Sequence, residues 1–352
     1  TVDSSGILYF ADGNASNQPN YYRIRYVDST NKVGTIFGSR PFYGDGLPKE
    51  LIRGNLAAIA YKNSSLETSA FPKGLYLLSP SAVLGYIDPV TGIYSTLWGN
   101  QVPTATTAAD GTVISPDLPL GPTSYGNYKG ITFDDDGLPW LRVGNGLVTL
   151  DSNKAVKALS TGTDYWDTKA EGSDPRVSGL YITGTTQNMT LMGKKLFLMG
   201  GSTAVTHPDP TPQIRFLDFL NNTISIVLGN GYLYSQGLST PPTVAAAGDG
   251  VTTAVRNSPL SYNCNNYYCR TQYSKANDVL YFSDKTLALH AITTPDNPLT
   301  STLSVVFTAP GTKIIVNFSV KDDGSQVFYV TSDDKMRCYP LTAAGIKSWC
   351  PA

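Results

Sequence analysis

The sequence predicts an all-β fold, a six-bladed β-propeller built from four-stranded antiparallel blades. The first observation is the composition: 24 of the 27 acidic residues are Asp, and the chain holds 22 Tyr and 33 Gly. Asp and Gly favour turns, whereas Tyr and β-branched residues favour strands. The second observation is a four-strand unit that recurs six times. The third is that the central strand of this unit is apolar on both faces, so a single unit cannot bury it alone.

The most regular element of the unit is a short apolar strand that ends in a small or acidic residue, as in Gly6-Ile-Leu-Tyr-Phe-Ala-Asp12. Six copies occur, at 6–12, 74–79, 138–143, 195–200, 279–284 and 327–332. A second strand follows each copy, at 22–28, 83–88, 146–151, 214–218, 287–292 and 336–340. A third strand comes next, at 33–38, 93–99, 155–159, 223–229, 303–307 and 346–349. Successive short strands with intervening turns indicate a meander.

A further strand precedes the apolar strand in five of the units, at 56–61, 130–134, 188–192, 270–273 and 314–319. In the first unit, only Thr1–Ser5 is left for this strand, so either this short segment suffices or the chain has been cut from something longer. Because the sequence begins at Thr1 with no initiator Met and no signal peptide, we expect a mature form or an excised domain. Two of the turns that follow read Asp134-Asp-Asp-Gly137 and Asp322-Asp-Gly324. Asp and Gly tolerate the positive φ angles of tight hairpins, so both turns fit the meander.

Six such units predict one domain over residues 1–352. Meanders that stand radially around an axis bury both faces against their neighbours and leave only short outer edges. The predicted blades span 1–50, 51–124, 125–186, 187–257, 258–310 and 311–352. Two stacked β-sandwich domains are the alternative, but six copies in one strand order favour the propeller.

A Gly-rich tail follows the third strand in three units: Tyr43-Gly-Asp-Gly46, Ala109-Asp-Gly111 and Ala247-Gly-Asp-Gly250. Together with Tyr9-Phe-Ala-Asp12 and Arg23-Ile-Arg-Tyr-Val-Asp28, these tails resemble the NHL-repeat family of β-propellers. The extracellular members of that family, which carry Gly-Asp-Gly between blades, are the most similar. The resemblance implies a fold rather than one activity, because the family includes ligand- and RNA-binding platforms, adhesion modules and a few enzymes.

Charge and hydropathy exclude two classes of partner. The net charge is −1 and the pI is about 6.1, so the chain lacks the basic character of RNA-binding propellers, and we expect no nucleic-acid partner. No stretch reaches the roughly 18 consecutive apolar residues of a membrane-spanning helix, so we expect no membrane insertion.

Four cysteines near the C-terminus predict two disulfide bonds. Sequence proximity favours Cys264–Cys269 and Cys338–Cys350 among the three connectivities that four cysteines allow. Free thiols are the main alternative, and a metal site is disfavoured because neither pair has the Cys-x-x-Cys spacing. Disulfide bonds imply an extracytoplasmic location, whether secreted, periplasmic or at the cell surface.

The sequence assigns no catalytic residue and no metal ligand. Enzymes of the NHL family hold metal through His residues, and this chain offers only His207, in a Pro-rich loop, and His290, in a predicted strand. Asp134–Asp136 could bind Ca²⁺, the only cofactor considered, but a solvated hairpin tip is the simpler interpretation. An enzyme is therefore the less favoured class.

Long connections at 100–128, 160–187, 201–213 and 230–262 supply a candidate binding surface. Eight aromatic residues in or beside these connections and the Cys264–Cys269 segment could contact a protein or a sugar: Tyr125, Tyr128, Tyr165, Trp166, Tyr232, Tyr234, Tyr267 and Tyr268. The sequence thus predicts a secreted or cell-surface, non-enzymatic binding or adhesion propeller that recognises a protein or glycan through loops on one face. The alternative hypothesis is a propeller hydrolase or lyase with carboxylates, with or without Ca²⁺, in the central channel.

Overall fold

The computed structural model describes residues 1–3, 5–13, 22–28, 30, 32–37, 58–63, 70–78, 84–98, 128–143, 146–154, 156–160, 164–165, 180–181, 189–200, 213–228, 250–251, 270–283, 287–297, 300–333 and 335–341. Within these ranges there are 25 β-strands and no helix. The all-β prediction is confirmed for this part of the chain. The chain divides into two compact units, one within Thr1–Thr163 and one over Asp164–Cys350.

The first unit holds three antiparallel sheets, each in meander order. Sheet 1 consists of β1 (Leu8–Gly13), β2 (Tyr22–Val27) and β3 (Val33–Phe37). Sheet 2 consists of β4 (Ala58–Lys62), β5 (Gly74–Leu78), β6 (Leu84–Ile87) and β7 (Tyr94–Trp98). Sheet 3 consists of β8 (Tyr128–Phe133), β9 (Pro139–Val143), β10 (Gly146–Leu150) and β11 (Val156–Ser160).

The second unit begins with a parallel pair, β12 (Asp164–Tyr165) and β13 (Leu180–Tyr181), and continues with three antiparallel sheets. Sheet 4 consists of β14 (Met189–Met192), β15 (Lys195–Gly200), β16 (Gln213–Asp218) and β17 (Thr223–Leu228). Sheet 5 consists of β18 (Gly250–Val251), β19 (Arg270–Ser274), β20 (Val279–Ser283), β21 (Ala288–Thr293) and β22 (Thr302–Thr308). Sheet 6 consists of β23 (Ile315–Val320), β24 (Gln326–Thr331) and β25 (Met336–Pro340).

Three features of the sheets differ from, or add to, the sequence prediction. The segment 160–187, predicted as a loop, contains the β12–β13 pair. Gly250, the last residue of a Gly-Asp-Gly tail, starts a fifth strand that pairs with the outer strand β22 of sheet 5. The N-terminal segment does act as a first strand for sheet 1, since Val2 bridges to Leu8 and the Tyr9 N–H donates to Thr1 O at 2.8 Å. The strand predicted at 346–349 lies outside the described residues.

Sheet 2 buries both of its faces, as the apolar pattern predicts. Every residue of β5 is buried. Leu75 and Leu77 belong to a core cluster shared with sheet 1, whereas Tyr76 and Leu78 belong to a second cluster shared with sheet 3. Alternate residues of a strand point to opposite faces, so one five-residue strand serves two interfaces. Full burial of each such side chain stabilises the fold by about 1.5–3 kcal/mol.

Sheet 5 has the same arrangement in the second unit. Leu280 and Phe282 of β20 pack in a cluster with sheet 4, and Val279 and Tyr281 pack in another with sheet 6. In both units, therefore, a central sheet is sandwiched between the sheets that precede and follow it in the chain. Consecutive face-to-face packing of meanders is the packing that propeller blades require.

Side chains of the first strands tie neighbouring sheets together. The Tyr61 N–H of β4 donates to Thr1 Oγ1 at 3.2 Å, and the Tyr273 N–H of β19 donates to Thr190 Oγ1 of β14 at 2.9 Å. Gln272 of β19 makes two such bonds with Val320 of β23. Each bond joins a side chain of one sheet to the backbone of the next, so the first strands of the joined sheets lie side by side within each unit.

Candidate ligand-binding end of the sheets

The meander topology gives each sheet two chemically different ends. At one end, here called the turn end, the first strand joins the second and the third joins the fourth. At the other, the loop end, the second strand joins the third and the fourth leaves for the next sheet. The turn-end connections are short: five residues separate β8 from β9, and six separate β6 from β7. The connection from β7 to β8 at the loop end runs over 99–127.

Buried carboxylates organise two equivalent turns at the turn end. Asp134 Oδ1 accepts the N–H groups of Asp136 and Leu138 at 3.0 and 2.9 Å, and its Oδ2 accepts Trp140 Nε1–H at 2.9 Å. Asp3 repeats this pattern in sheet 1, where Oδ1 accepts two N–H groups and Oδ2 accepts the Tyr9 hydroxyl. The glycine three residues after each Asp has φ of +82° or +73°, which other residues rarely adopt. The turns at Asp3 and Asp134 therefore repeat in structure as well as in amino-acid sequence.

The burial of Asp134 corrects the interpretation of Asp134–Asp136 as a solvated hairpin tip. Asp135 and Asp136 are exposed, as a solvated hairpin tip requires, but Asp134 itself is buried. Both of its oxygens accept hydrogen bonds from the protein. Its carboxylate thus fixes the turn and the Trp140 ring, which accounts for its position without a bound ion. Within the described ranges, no group of three His, Cys, Asp or Glu residues is arranged to hold a metal ion.

The turns between third and fourth strands are capped in the same way. Asp28 Oδ1 accepts the N–H of Lys32 and both the N–H and hydroxyl of Thr30. These hydrogen bonds, with that of Lys32 first, lower the pKa of Asp28 because they favour the charged carboxylate. At Asp218, partial burial raises the pKa, but the hydrogen bonds from Asn221 and Leu220 lower it by more. The pKa of Asp218 is therefore also lowered. Asp28 and Asp218 are therefore committed to their turns.

A β-bulge marks the half of the third strand that lies nearer the loop end. It occurs where the third strand pairs with the fourth in five sheets, after Ile24, Leu84, Leu147, Ile214 and Leu289. Bulges twist a strand locally and re-aim its side chains, and they are frequent at rims and beside binding sites. The residue after the bulge is basic in three of the five sheets: Arg25, Arg215 and His290.

Several basic side chains lie near the loop ends of their own sheets. Arg142, Arg215 and His290 are almost fully buried, and His290 stacks on Phe282 with ring centroids 4.9 Å apart. The Nε atoms of Arg25 and Arg270 are also buried. Sequence analysis did not single out any of the four arginines. Their signal is weak, because an isolated Arg in a short strand looks like a solvent-facing residue until the neighbouring sheet is known.

Two of the eight predicted aromatic residues lie in described strands. Tyr128 is the first residue of β8 and pairs with Val143, and Tyr165 of β12 pairs with Tyr181. The other six lie outside the described residues: Tyr125, Trp166, Tyr232, Tyr234, Tyr267 and Tyr268. All eight lie on chain that connects the fourth strand of one sheet with the first strand of the next, or at the start of that first strand.

Cys338 lies on β25 opposite Phe328. Cys264, Cys269, Cys350 and His207 lie outside the described residues, so both disulfide pairings stay predictions. In the described part of the chain, no helix is long and apolar enough to cross a membrane.

The chain is similar to solved structures only at low sequence identity. The sequence matches no protein-family model and no curated protein. β-Propeller proteins are among the solved structures that are similar to the chain. Virginiamycin B lyase from Staphylococcus aureus has a TM-score of 0.41 and 13% identity over 99% of this chain and 84% of that one. A chain of the mitotic checkpoint complex has a TM-score of 0.48 and 10% identity over 96% and 85%. PorZ of Porphyromonas gingivalis has a TM-score of 0.48 and 12% identity over 99% and 40%.

Proposed function

We propose that this chain is an extracytoplasmic binding protein, an NHL-type six-bladed propeller that recognises a protein or glycan through the connections at the loop end of its sheets. The observation that carries the proposal is the separation of the two ends. Short turns with hydrogen-bonded Asp side chains close the turn end of the described sheets, whereas the long connections follow fourth strands in the chain, and the sequence puts all eight aromatic candidates on or directly beside these connections. Binding residues are disproportionately found on loops that a rigid scaffold positions.

The aromatic residues fit this role chemically. Tyr and Trp offer a large apolar ring with a polar atom at its edge, which suits contacts with the apolar face and hydroxyl groups of a sugar, or with a protein surface. They also lose little conformational freedom on binding, because each has only two side-chain torsions. In the sequence they fall on connections between consecutive sheets, which supports recognition through this one type of segment.

A glycan array and a protein pull-down with the purified chain would test the proposal. We expect a ligand whose binding falls about tenfold or more in the double variants Tyr232→Ala/Tyr234→Ala or Tyr267→Ala/Tyr268→Ala, since loss of central aromatic contacts commonly costs 1–2 kcal/mol or more.

Matched controls come from the turn end. Val90 and Leu220 are exposed by 91% and 75% in turns between third and fourth strands. Val90→Asp and Leu220→Asp should leave binding unchanged. If these two changes abolished binding while the Tyr variants retained it, the ligand would be recognised at the turn end and the proposal would be wrong.

The six-bladed ring and the compartment have their own tests. A single ring of six meanders predicts a compact particle in solution scattering, whereas two separate sandwich domains predict an elongated one. Secretion predicts that the two cysteine pairs are oxidised in the purified protein.

A further inference from the structure

We propose that Asn221, in the turn between β16 and β17 of sheet 4, is the acceptor of an N-linked oligosaccharide. The inference rests on the extracytoplasmic location in the proposed function and goes beyond the binding role. Asn221-Asn222-Thr223 is an Asn-x-Thr sequence, the acceptor pattern of N-glycosylation. The chain holds five Asn-x-Ser/Thr sequences, which begin at Asn14, Asn63, Asn188, Asn221 and Asn317. Their positions in the fold decide which copy can carry a glycan.

The turn that contains Asn221 presents this residue to solvent. Residues 219–222 connect β16 to β17 at the turn end of sheet 4. Phe219 is buried, whereas Leu220 is exposed by 75% and Asn221 is also exposed. Asn222 has a φ of +57°, a conformation that Asn tolerates better than most residues, and the chain then enters β17. An oligosaccharide, which is bulky and hydrophilic, can therefore extend from Asn221 into water.

The hydrogen bonds of Asn221 leave one amide hydrogen for a sugar. Its backbone N–H donates to Asp218 Oδ1 at 2.9 Å, and its Nδ2 donates to Asp218 Oδ2 at 2.8 Å. An Asn amide has two N–H donors, and the second makes no hydrogen bond among the described residues. Attachment of a glycan replaces one N–H and leaves the other, so the bond to Asp218 can persist in the modified turn.

The third residue of the acceptor sequence, Thr223, lies where a transferase can reach it. Thr223 is half-buried and is the first residue of β17, which is the outer strand of the four-stranded sheet 4. It pairs with Asp218 at the end of the ladder. A strand end at a sheet edge opens locally at low cost, because few hydrogen bonds break. The segment 221–223 can thus bind a transferase while the rest of sheet 4 stays folded.

The sequence Asn317-Phe318-Ser319 provides an internal comparison. Asn317 is exposed too, but Phe318 and Ser319 are each only 9% exposed. Phe318 packs in the core cluster between sheets 5 and 6, and two hydrogen bonds join the next residue, Val320, to Gln272 of sheet 5. Opening this segment would separate the two sheets, so we expect Asn317 to stay unmodified once the chain has folded.

The reaction requires a lipid-linked oligosaccharyl pyrophosphate as donor and a separate transferase. Asn221 Nδ2 forms a bond to the anomeric carbon of the donor, and the bond from that carbon to the pyrophosphate oxygen breaks. The lipid pyrophosphate leaves with the electron pair, and one Nδ2 proton passes to a base of the transferase. The chain itself contributes the acceptor amide and the Thr223 hydroxyl that the acceptor pattern requires.

A glycan at Asn221 would lie beside an exposed apolar side chain and away from the proposed binding surface. A hydrated oligosaccharide next to Leu220 would cover apolar surface that otherwise faces water. The turn lies at the opposite end of sheet 4 from the connection that follows β17. The glycan and a ligand at the loop end therefore need not compete.

Secretion of the full chain from a eukaryotic cell line, with a cleavable leader added, tests the site. Treatment with a peptide-N-glycosidase converts each glycosylated Asn to Asp, which peptide mapping by mass spectrometry detects. We expect a glycan on Asn221 in wild type, T223S and N317Q, and loss of that glycan in N221Q and T223V. T223V is the matched variant, because it keeps the branched shape of Thr223 and the bonds between Asn221 and Asp218 while it removes the hydroxyl.

A second measurement tests the role of the fold. Folded chain that has been purified without a glycan is incubated with a purified transferase and its lipid-linked donor. We expect modification of Asn221 and not of Asn317. Modification of Asn317 alone would overturn the proposal, and so would an unmodified Asn221 in secreted wild type from cells that glycosylate a reporter protein.

Ligand binding distinguishes this site from the proposed function. T223V, which lacks the glycan, should bind a loop-end ligand as wild type does. A glycan on Asn221, with no ligand found for either protein, would keep the site and reject the binding function. Ligand binding by a secreted wild type that carries no glycan on Asn221 would keep the binding function and reject the site.

Discussion

The hydrogen bonds between Gln272 and Val320 give a direct test of how consecutive sheets are held together. Gln272 Nε2 donates to Val320 O at 3.0 Å, and the Val320 N–H donates to Gln272 Oε1 at 2.8 Å. Val320 is 1% exposed, so neither of its backbone groups can turn to water. Gln272→Ala leaves both groups buried without a partner. Each unsatisfied group costs about 1–3 kcal/mol, and partial relaxation leads us to expect a loss of about 2–4 kcal/mol.

Gln272→Glu sharpens this test through its pH dependence. The new carboxylate still accepts from the Val320 N–H, but it can donate to Val320 O only when protonated. Burial beside a carbonyl raises the folded-state pKa of the glutamic acid above its unfolded value of about 4.3. The variant should therefore be least destabilised below about pH 4, and its deficit should grow as the pH rises through the raised folded pKa.

Urea denaturation of both variants at pH 4 and pH 8, each compared with wild type at the same pH, measures these effects. Gln326→Ala is the matched control, because the Gln326 side chain makes no hydrogen bond among the described residues, and we expect a change within about 0.5 kcal/mol. If Gln272→Ala were as mild as this control, or if Gln272→Glu showed no added pH dependence, the side-chain bridge would not hold sheets 5 and 6 together.

Three further predictions concern other parts of the fold. Asp134→Ala should destabilise the chain by about 2–4 kcal/mol in urea and shift Trp140 fluorescence, because buried Trp140 Nε1–H loses its acceptor; an unchanged spectrum would contradict this. The hydrogen bond from Arg337 lowers the pKa of Asp333, so the charged carboxylate stabilises the folded chain above its unfolded pKa of about 4. Asp333→Asn should therefore lower the free energy of unfolding above about pH 4, and the difference from wild type should vanish in acid; a pH-independent difference would contradict this. Non-reduced peptide mapping should recover Cys338 joined to Cys350, a bridge worth about 2–3 kcal/mol, and alkylation of both in native protein would refute it.

Local chemistry made the strands and turns predictable. The Gly74–Leu78 segment is apolar without interruption, which indicates a strand with two buried faces, and the structure buries all five residues. Asp134 and Gly137 indicate a tight turn, because an Asp side chain can accept hydrogen bonds from the turn backbone and a Gly backbone can adopt a positive φ angle. The structure shows both features. These features depend on neighbours within a few residues.

The candidate site was predictable only in part. Long connections could be counted in the sequence, and alternation of strand direction then assigns them to one end of each sheet. The bulge after Ile214 could not be inferred, because a bulge depends on how two strands meet rather than on either strand alone. The parallel pair β12–β13 was missed for a similar reason, since two-residue strands have no periodicity to recognise.

The sequence by itself determined most of the strands: short apolar segments and Asp-Gly turns sufficed to predict six meanders and the order of their strands, but not the β12–β13 pair or the short strand β18. Only the tertiary structure decided what each polar side chain does. Gln272 is a bridge because β23 lies beside it, and Arg270 Nε is buried because the sheets pack around it. Burial and charge pairing depend on residues far apart in the chain, so they emerge when the sheets pack.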